Sequence, residues 1–332
     1  MILHSRLLAD AVQVDAGDHI IIVNSAADPF VAQLARQNMT ITLAEDNIDA
    51  AHQALRSASP EQLQHVAFHN YIANQPPSTM DVALMNLLYQ PGNTWVLYGL
   101  HLALYALRPG GSLYIVGAKN RGILTVAKRL QEYFGNVETL TISKGHRVLR
   151  ARKRAEGLLN LEQWKQVSLF AASQLDEGTA LLLQAVQIKA GDEALDLGCG
   201  AGFIGLHIAR QAPEGHVTMV DASLAAIEAA MHAVEQSGLT NVRVLPSDST
   251  QAVSDQRFDL VATNPPFHQG GIQTTEIAWR FIRDTAQILR RHGRFYLVAN
   301  RFLKYEPVMR ECFHSVEEVA GNGRYKVLLA KR

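Results

Sequence analysis

Asn264, Pro265, Pro266 and Phe267 stand together in the stretch FDLVATNPPFHQGG, directly after an apolar run. Consecutive prolines fix the backbone of a turn and remove two N–H donors. Carbonyl groups are then left facing outward beside the side-chain oxygen of Asn264, so two acceptors aim at one place. The ring of Phe267 adds a flat face. Such a corner suits an –NH2 on a planar aromatic ring. The two acceptors take its two hydrogens, draw the nitrogen lone pair out of conjugation and turn it toward an electrophile. Stacking on Phe267 would add ~1–3 kcal/mol. Positioning supplies most of the rate, and no histidine or carboxylate base is needed, because the nitrogen becomes acidic as it is alkylated. The plainer alternative is a strand end with a capped turn and a core ring.

A second group of residues defines what the electrophile is. In LDLGCGAGFIG, Gly200, Gly202 and Gly205 fit the dinucleotide-binding fingerprint, and Asp221 follows about 20 residues on. Asp196, ahead of the glycines, argues against a pyrophosphate, which its carboxylate would repel. The same carboxylate suits a ligand that carries a cation. S-adenosylmethionine has an ammonium and a sulfonium and no phosphate, and Gly198, Gly200 and Gly202 let the backbone pass close to it. Asp221 either accepts hydrogen bonds from both ribose hydroxyls or caps the helix that follows, a role Ser223 also fits. Asp248, in LPSDST, is placed to meet the adenine amino group. Cys199 reads as a small residue in a tight loop.

The elements that position these residues alternate between apolar runs and helical patterns. Strands are predicted at Glu193–Leu197, His216–Asp221, Val242–Pro246, Leu260–Thr263, Phe295–Ala299 and Tyr325–Ala330. GFIGLHIARQA and SLAAIEAAMHAVEQSG read as helices, the second closed by Gly238. Strand–helix alternation predicts an α/β fold with a doubly wound, mostly parallel sheet, whose ligands bind at the carboxyl ends of the strands.

The chain also repeats itself. GDHIIIVNSAADPFVAQLARQ (17–37) runs without a gap beside GDEALDLGCGAGFIGLHIARQ (191–211). MDVALMNLLYQPG parallels FDLVATNPPFHQG, and SKGHRVLRARKR parallels GNGRYKVLLAKR. Two tandem Rossmann-like domains from an internal duplication are expected, with the boundary at 152/153 in the charged run RARKRAEGLLN. In the first copy Asn24 is taken to stand where Asp196 stands, Ala-Ala replaces glycines, and Leu87 and Leu88 replace the prolines after Asn86. Residues 1–152 are therefore expected to bind no cofactor and to serve either RNA binding, through basic residues such as Arg150, Arg152 and Lys153, or a structural role in which that run is a solvated linker.

With 332 residues the chain is long enough for two domains. Its formal net charge is zero, so any nucleic-acid contact depends on a local patch. Two cysteines, Cys199 and Cys312, make no metal or disulfide pattern, and His4, His52, His65, His69, His101 and His232 are scattered without ligand spacing. No metal is expected, and no run approaches the ~20 apolar residues of a membrane span. The expectation is a cytoplasmic protein with no membrane partner, and a monomer, since duplication can replace a dimer.

Together, DLGCGAG, VDAS and NPPFHQGG resemble the class I S-adenosylmethionine-dependent methyltransferases. More narrowly, the chain is similar to the two-domain small-subunit (16S) ribosomal RNA guanine-N2 methyltransferases, in which only the C-terminal domain keeps the chemistry. The resemblance implies a degenerate N-terminal methyltransferase-like domain, a catalytic domain at 153–332, and methyl transfer to the N2 amino group of a guanine in ribosomal RNA. It extends to His268, after Phe267, and to ANRFLKY, where Asn300 and Phe302 are expected to line the substrate side with Pro266. Alternatives are a 23S guanine-N2 or adenine-N6 target, or a non-catalytic RNA-binding assembly factor; intact Asp196, Asp221 and Asn264 argue against the last.

Overall fold

The structure, a computed structural model, describes residues 2–37, 39–57, 59, 62–154, 164, 169–170, 175–266 and 275–332, with the backbone alone at 268–269 and 272–273. It divides into two compact units, Met1–Leu169 and Phe170–Arg332.

The first unit holds strands β1 (His19–Val23), β2 (Thr40–Glu45), β3 (Leu63–Ala67), β4 (Met80–Asn86), β5 (Leu107–Ala118), β6 (Glu138–Ser143) and β7 (His146–Arg152). Its helices are α1 (Leu3–Ala11), α2 (Pro29–Ala35), α3 (Ile48–Leu55), α4 (Tyr71–Asn74), α5 (Asn93–Ala106) and α6 (Ile123–Phe134). The second unit holds α7 (Glu177–Ala185), β8 (Ala194–Leu197), α8 (Phe203–Gln211), β9 (Val217–Asp221), α9 (Leu224–Ser237), β10 (Val242–Pro246) and β11 (Phe258–Thr263). After a short antiparallel pair, β12 (His268–Gln269) and β13 (Ile272–Gln273), come α10 (Glu276–Ile288), β14 (Leu289–Asn300), α11 (Glu306–Cys312), β15 (Ser315–Gly321) and β16 (Tyr325–Lys331).

The two sheets have the same order: β3-β2-β1-β4-β5-β7-β6 and β10-β9-β8-β11-β14-β16-β15. In each, the first five strands are parallel and the last two antiparallel. Even the irregularities match, with register shifts between Met80 and Val82 and between Phe258 and Leu260. Gly110 and His292 both take positive φ, at 87° and 65°, in the same corner of the long fifth strand. A histidine there bears a strain that glycine avoids, so the backbone of that corner is dictated by the fold and not by its residue.

The predicted strands of the second unit lie within a few residues of the observed ones, except that β14 starts earlier and β15 was not foreseen. SVEEVAG in β15 is mostly exposed, so it shows neither apolar alternation nor a buried run, as befits an edge strand. The basic run does not act as a linker: Arg147, Arg150 and Arg152 belong to β7, between β5 and β6. The boundary falls later than 152/153, because chain beyond β7 still packs on the first unit. The Trp164 ring stacks on His101 with centroids 4.2 Å apart and meets Tyr98 edge-on.

Parallel strands are covered on both faces and so read as continuous apolar runs; in β8 all four residues are buried, Asp196 included. One buried ion pair ties this core to the long fifth strand. Arg294 in β14 donates to both oxygens of Asp192, at 2.5 and 2.6 Å, and to the Gln187 carbonyl at 2.5 Å. Removing one partner leaves a buried charge uncompensated. Asp192→Ala should therefore lower unfolding free energy by about 3–5 kcal/mol, read as a lower urea midpoint.

Candidate active site

In the second unit the strand order reverses between β8 and β11, whose connections lead away on opposite sides, and open α/β sheets bind ligands at such a switch point. Asp196 of β8 lies opposite Ala262 of β11, so the end of β8 and the Asn264 corner are neighbours. The Thr263 hydroxyl donates to the Leu197 carbonyl at 2.6 Å and pins the two strand ends together.

Asp196 is completely buried. Its Oδ2 accepts the Gly205 N–H at 2.7 Å, inside the first turn of α8, while Oδ1 is buried without a hydrogen-bond partner. Burial pushes its carboxyl up to about 7, opposed by the Gly205 N–H and assisted by the charge of Asp221. Asp196 is thus set deeper than its place ahead of the glycines implied. Gly198, Gly200 and Gly202 all take positive φ, at 73°, 53° and 84°, which is what glycine allows at low cost. Gly205 serves packing: a Cβ there would run into the Met219 side chain. Asp221 accepts the Gly200 N–H at 2.9 Å and the Ser223 N–H at 2.9 Å. The cap of α9 is Ser223, whose hydroxyl accepts the Ala226 N–H at 3.2 Å.

These residues fit S-adenosylmethionine. One oxygen of Asp196 is an acceptor without a hydrogen-bond partner, and three glycines keep the loop backbone bare where the cofactor's aminoacyl arm would pass. Cys199 is buried, and burial with the nearby carboxylates holds its thiol well above its ordinary value, so it stays protonated and inert. Among the described residues no three His, Cys, Asp or Glu side chains gather to hold a metal.

At the end of β11, Asn264 is half-buried, Pro265 buried and Pro266 exposed. The Asn264 Nδ2 donates to the Thr179 hydroxyl at 2.8 Å and faces both Asp176 oxygens at 3.3 Å. Among the described residues no donor reaches its Oδ1. Asn300 ends β14, nearly buried, and Phe302 beyond it is 65 % exposed. Phe267 and the side chain of His268 lie outside the described residues.

A family model described as Methyltransferase small domain matches residues 160–329, and one described as Methyltransferase small domain N-terminal matches residues 5–166. A ribosomal RNA small subunit methyltransferase C from Shewanella pealeana is 33% identical, covering 69% of this chain and 72% of its own. One from Shewanella sediminis is 29% identical over 97% and 96%. The T. thermophilus 16S rRNA N2 methyltransferase, solved with AdoMet and guanosine, matches with a TM-score of 0.85 at 28% identity, covering 99% of this chain and 91% of its own.

The chain belongs to the ribosomal RNA small subunit methyltransferase C family.

Within that methyltransferase frame, several residues carry roles that the sequence reading did not assign. Arg280 of α10 forks Asp248, with one bond at 2.8 Å, so Asp248 already holds a guanidinium where an adenine amino group was expected to meet it. Phe170 lies over the loop, its ring 3.2 Å from where a Gly200 Cβ would sit. Asp176 and Thr179, at the start of α7, hold Asn264. No short-range pattern marks these partners, because sequence separations of about 30 to 90 residues divide them from what they touch.

The first unit shows how the same backbone looks without the site. Asn24 does not replace Asp196. Its N–H meets the Ala44 carbonyl as that of Gly198 meets Val220, and its φ is 45°, so Asn24 replaces Gly198. Ile22, opposite Leu84, replaces Asp196. The space is filled from within: Gln90 Nε2 donates to the Asn24 carbonyl at 2.9 Å, and Asn24 Oδ1 accepts the Asp46 N–H at 3.1 Å. Glu45, in the place of Asp221, accepts the N–H groups of Ala26, Asp46 and Asn47.

Burial also pushes the Glu45 carboxyl up to about 7. An acid whose folded pKa is raised keeps its proton in the native state while the unfolded chain has lost it, so stability falls as pH rises from the ordinary carboxylate range toward 7. The thermal midpoint without cofactor should drop from about pH 5 to about pH 8. Asp196→Asn and Glu45→Gln should each flatten that drop, and Asp196→Asn alone should weaken S-adenosylmethionine binding. Calorimetric melts across that pH series, with and without cofactor, check both.

Proposed function

We infer that this chain transfers a methyl group from S-adenosylmethionine to the exocyclic N2 amino group of a guanine in 16S ribosomal RNA. The observation that carries this reading is the Asn264 corner. It presents an amide oxygen, fixed in direction and unmatched by any described internal donor, beside a loop whose buried carboxylate lacks a cation. Family membership supports the reading, as does the structural likeness to an enzyme solved with AdoMet and guanosine.

When bound, S-adenosylmethionine supplies a methyl group made electrophilic by its sulfonium. Asp196 and Asp221 hold the cofactor loop in shape through Gly205 and Gly200, and Asp221, at the end of β9, would meet the ribose hydroxyls. Asn264 accepts one hydrogen of the target amine, and the Pro265 carbonyl is the second acceptor. Phe267 stacks on the base, and Phe302, strongly exposed at the ligand end of β14, gives another ring for RNA. As the new N–C bond forms, the sulfur–methyl bond of the donor would break, S-adenosylhomocysteine would leave as a neutral thioether, and the amine proton, made acidic, would pass to water. Positioning accounts for the rate enhancement.

The first unit binds no cofactor and contacts RNA. Of the basic residues in and after β7, Arg150 pairs with Glu138 at 2.6 Å, Lys153 Nζ donates to the Leu107 carbonyl at 2.6 Å, and Arg152 is exposed. Lys119, Lys144 and His146 line an open cavity of about 580 Å³ at the end of β5 and the β6–β7 turn. The protein acts as a monomer in the cytoplasm.

Labelled methyl transfer to small-subunit RNA should give N2-methylguanosine on nucleoside analysis, and a different methylated nucleoside would overturn the assignment. Asn264→Ala should abolish turnover while titration still shows one S-adenosylmethionine site per chain. Lys119→Glu with Lys144→Glu should weaken RNA binding, and the loss should shrink as salt is raised; filter binding at two salt concentrations measures it.

A further inference from the structure

We propose that Asp176 and Thr179 are positioning residues that fix which end of the Asn264 amide faces the target base. The proposal rests on the reading that Asn264 accepts from the target amine. The two ends of an amide have nearly the same shape and differ only in hydrogen bonding. An Asn264 turned over would present two donors to an amine that itself donates, and the contact would become repulsive.

The chain of bonds leaves one orientation. Asp176 caps α7 by accepting the Thr179 N–H at 3.0 Å. The Thr179 hydroxyl donates its single hydrogen to Asp176 Oδ2 at 2.5 Å, so toward Asn264 it can only accept. Asn264 Nδ2 fills that acceptor at 2.8 Å and faces the carboxylate as well. Only the NH2 end satisfies these partners. A helix cap alone requires one accepted N–H, and the remaining bonds have no such use. Thr179 is buried, and Gly178 keeps the space clear, since a Cβ there would lie 3.1 Å from Asp176 Oδ1 and from the Tyr325 ring. Glu177 holds α7 against the antiparallel edge through Arg324 at 2.9 Å and Asn322 at 3.1 Å.

The first unit supplies the contrast. Asn86 occupies the place of Asn264 and is anchored through Nδ2 by Asp28 Oδ2 at 2.7 Å. Its Oδ1, however, accepts the Leu88 N–H at 2.9 Å and lies 3.2 Å from His4 Nδ1. Leu88 stands where Pro266 stands, and proline has no N–H to offer. The clamp sets the direction of Asn264, and Pro266 keeps the outward oxygen from being consumed by its own turn.

Steady-state kinetics of the full chain with small-subunit RNA test this, beside thermal melts and cofactor titration. Thr179→Val removes the hydroxyl at similar volume. Asp176→Asn keeps a helix cap but turns one acceptor into a donor, and it reads the same point should Thr179→Val fail to fold. Each should lower kcat by roughly 100-fold. KM for S-adenosylmethionine should stay within about twofold, the mark of an interaction made with the other substrate or the transition state. Thr179→Ser should restore most of kcat. Pro266→Ala should lower kcat by returning an N–H to Asn264 Oδ1. Folded Thr179→Val or Asp176→Asn with normal kcat would overturn the clamp. So would losses that follow melting temperature and cofactor affinity together, which would mark a simple helix cap. Normal kcat in Pro266→Ala would overturn the shielding role. An active Asn264→Ala would instead bring down the reading of the amide itself, a result separable from the others.

Discussion

A carboxylate buried without a counter-ion is a cost that the second unit carries until its ligand arrives. Asp196 gives one oxygen to the start of α8 and leaves the other unmatched, and an unpaired ion in low dielectric is disfavoured. The fold tolerates it because the strand is sealed on both faces and pinned at its end to β11. A cationic ligand lowers that cost where a phosphate would raise it. The same buried group makes the cofactor-free state sensitive to protonation. Because β8 and β11 are neighbours, the Asp196 carboxyl and the Asn264 amide are held in fixed relation.

The two units show that one backbone can be satisfied in two ways. In the second, the acceptor of the Gly200 N–H is Asp221, a shorter aspartate that also takes the Ser223 N–H. In the first, the longer Glu45 reaches in and takes three backbone N–H groups at once. Asn24 and Gln90 fill the loop with mutual hydrogen bonds, and Ile22 puts a hydrocarbon where the other unit keeps a carboxyl group. Each exchange removes a ligand-facing demand and replaces it with an internal bond, which stabilises the unit while closing it. Glu45 is itself buried with a raised pKa, so the exchange is incomplete as a stabilising device.

Much of this was legible in the residues. The alternation of apolar runs and helical patterns, the repeat, the glycine loop and the Asn-Pro-Pro corner all lie within short windows, where periodicity and turn chemistry speak directly. The β15 edge was illegible because an exposed strand lacks any apolar signature. The division between units was misplaced because RARKR looks like solvated chain, whereas antiparallel pairing of β7 with β5 and β6 carries its arginines. The position of Asn24 was misassigned although the ungapped alignment puts it at Gly198; only the matching N–H bonds and positive φ make the equivalence plain. The partners of Asn264 and Asp248 were missed for a different reason. They depend on how α7 and α10 lie beside the sheet, and that is decided by packing across many residues.

The choice of asparagine for the gripping residue follows from its surroundings. Asp176, Asp196, Asp221 and Asp248 already gather around the ligand ends of these strands, and a fifth carboxylate in place of Asn264 would face Asp176 at close range. Like charges that near would drive one of them to hold a proton, and the acceptor would be lost at the moment it is needed. A neutral amide avoids this. Its dipole lies with the positive end toward Asp176 and the negative end away from it, so the carboxylate behind the amide strengthens its oxygen as an acceptor without adding charge there. The amide then meets two further requirements, that its direction be imposed and that its turn contain no competing donor. A helix cap with a hydroxyl supplies the first and a proline two residues on the second, which is why the corner needs residues from two distant parts of the chain as well as its own four.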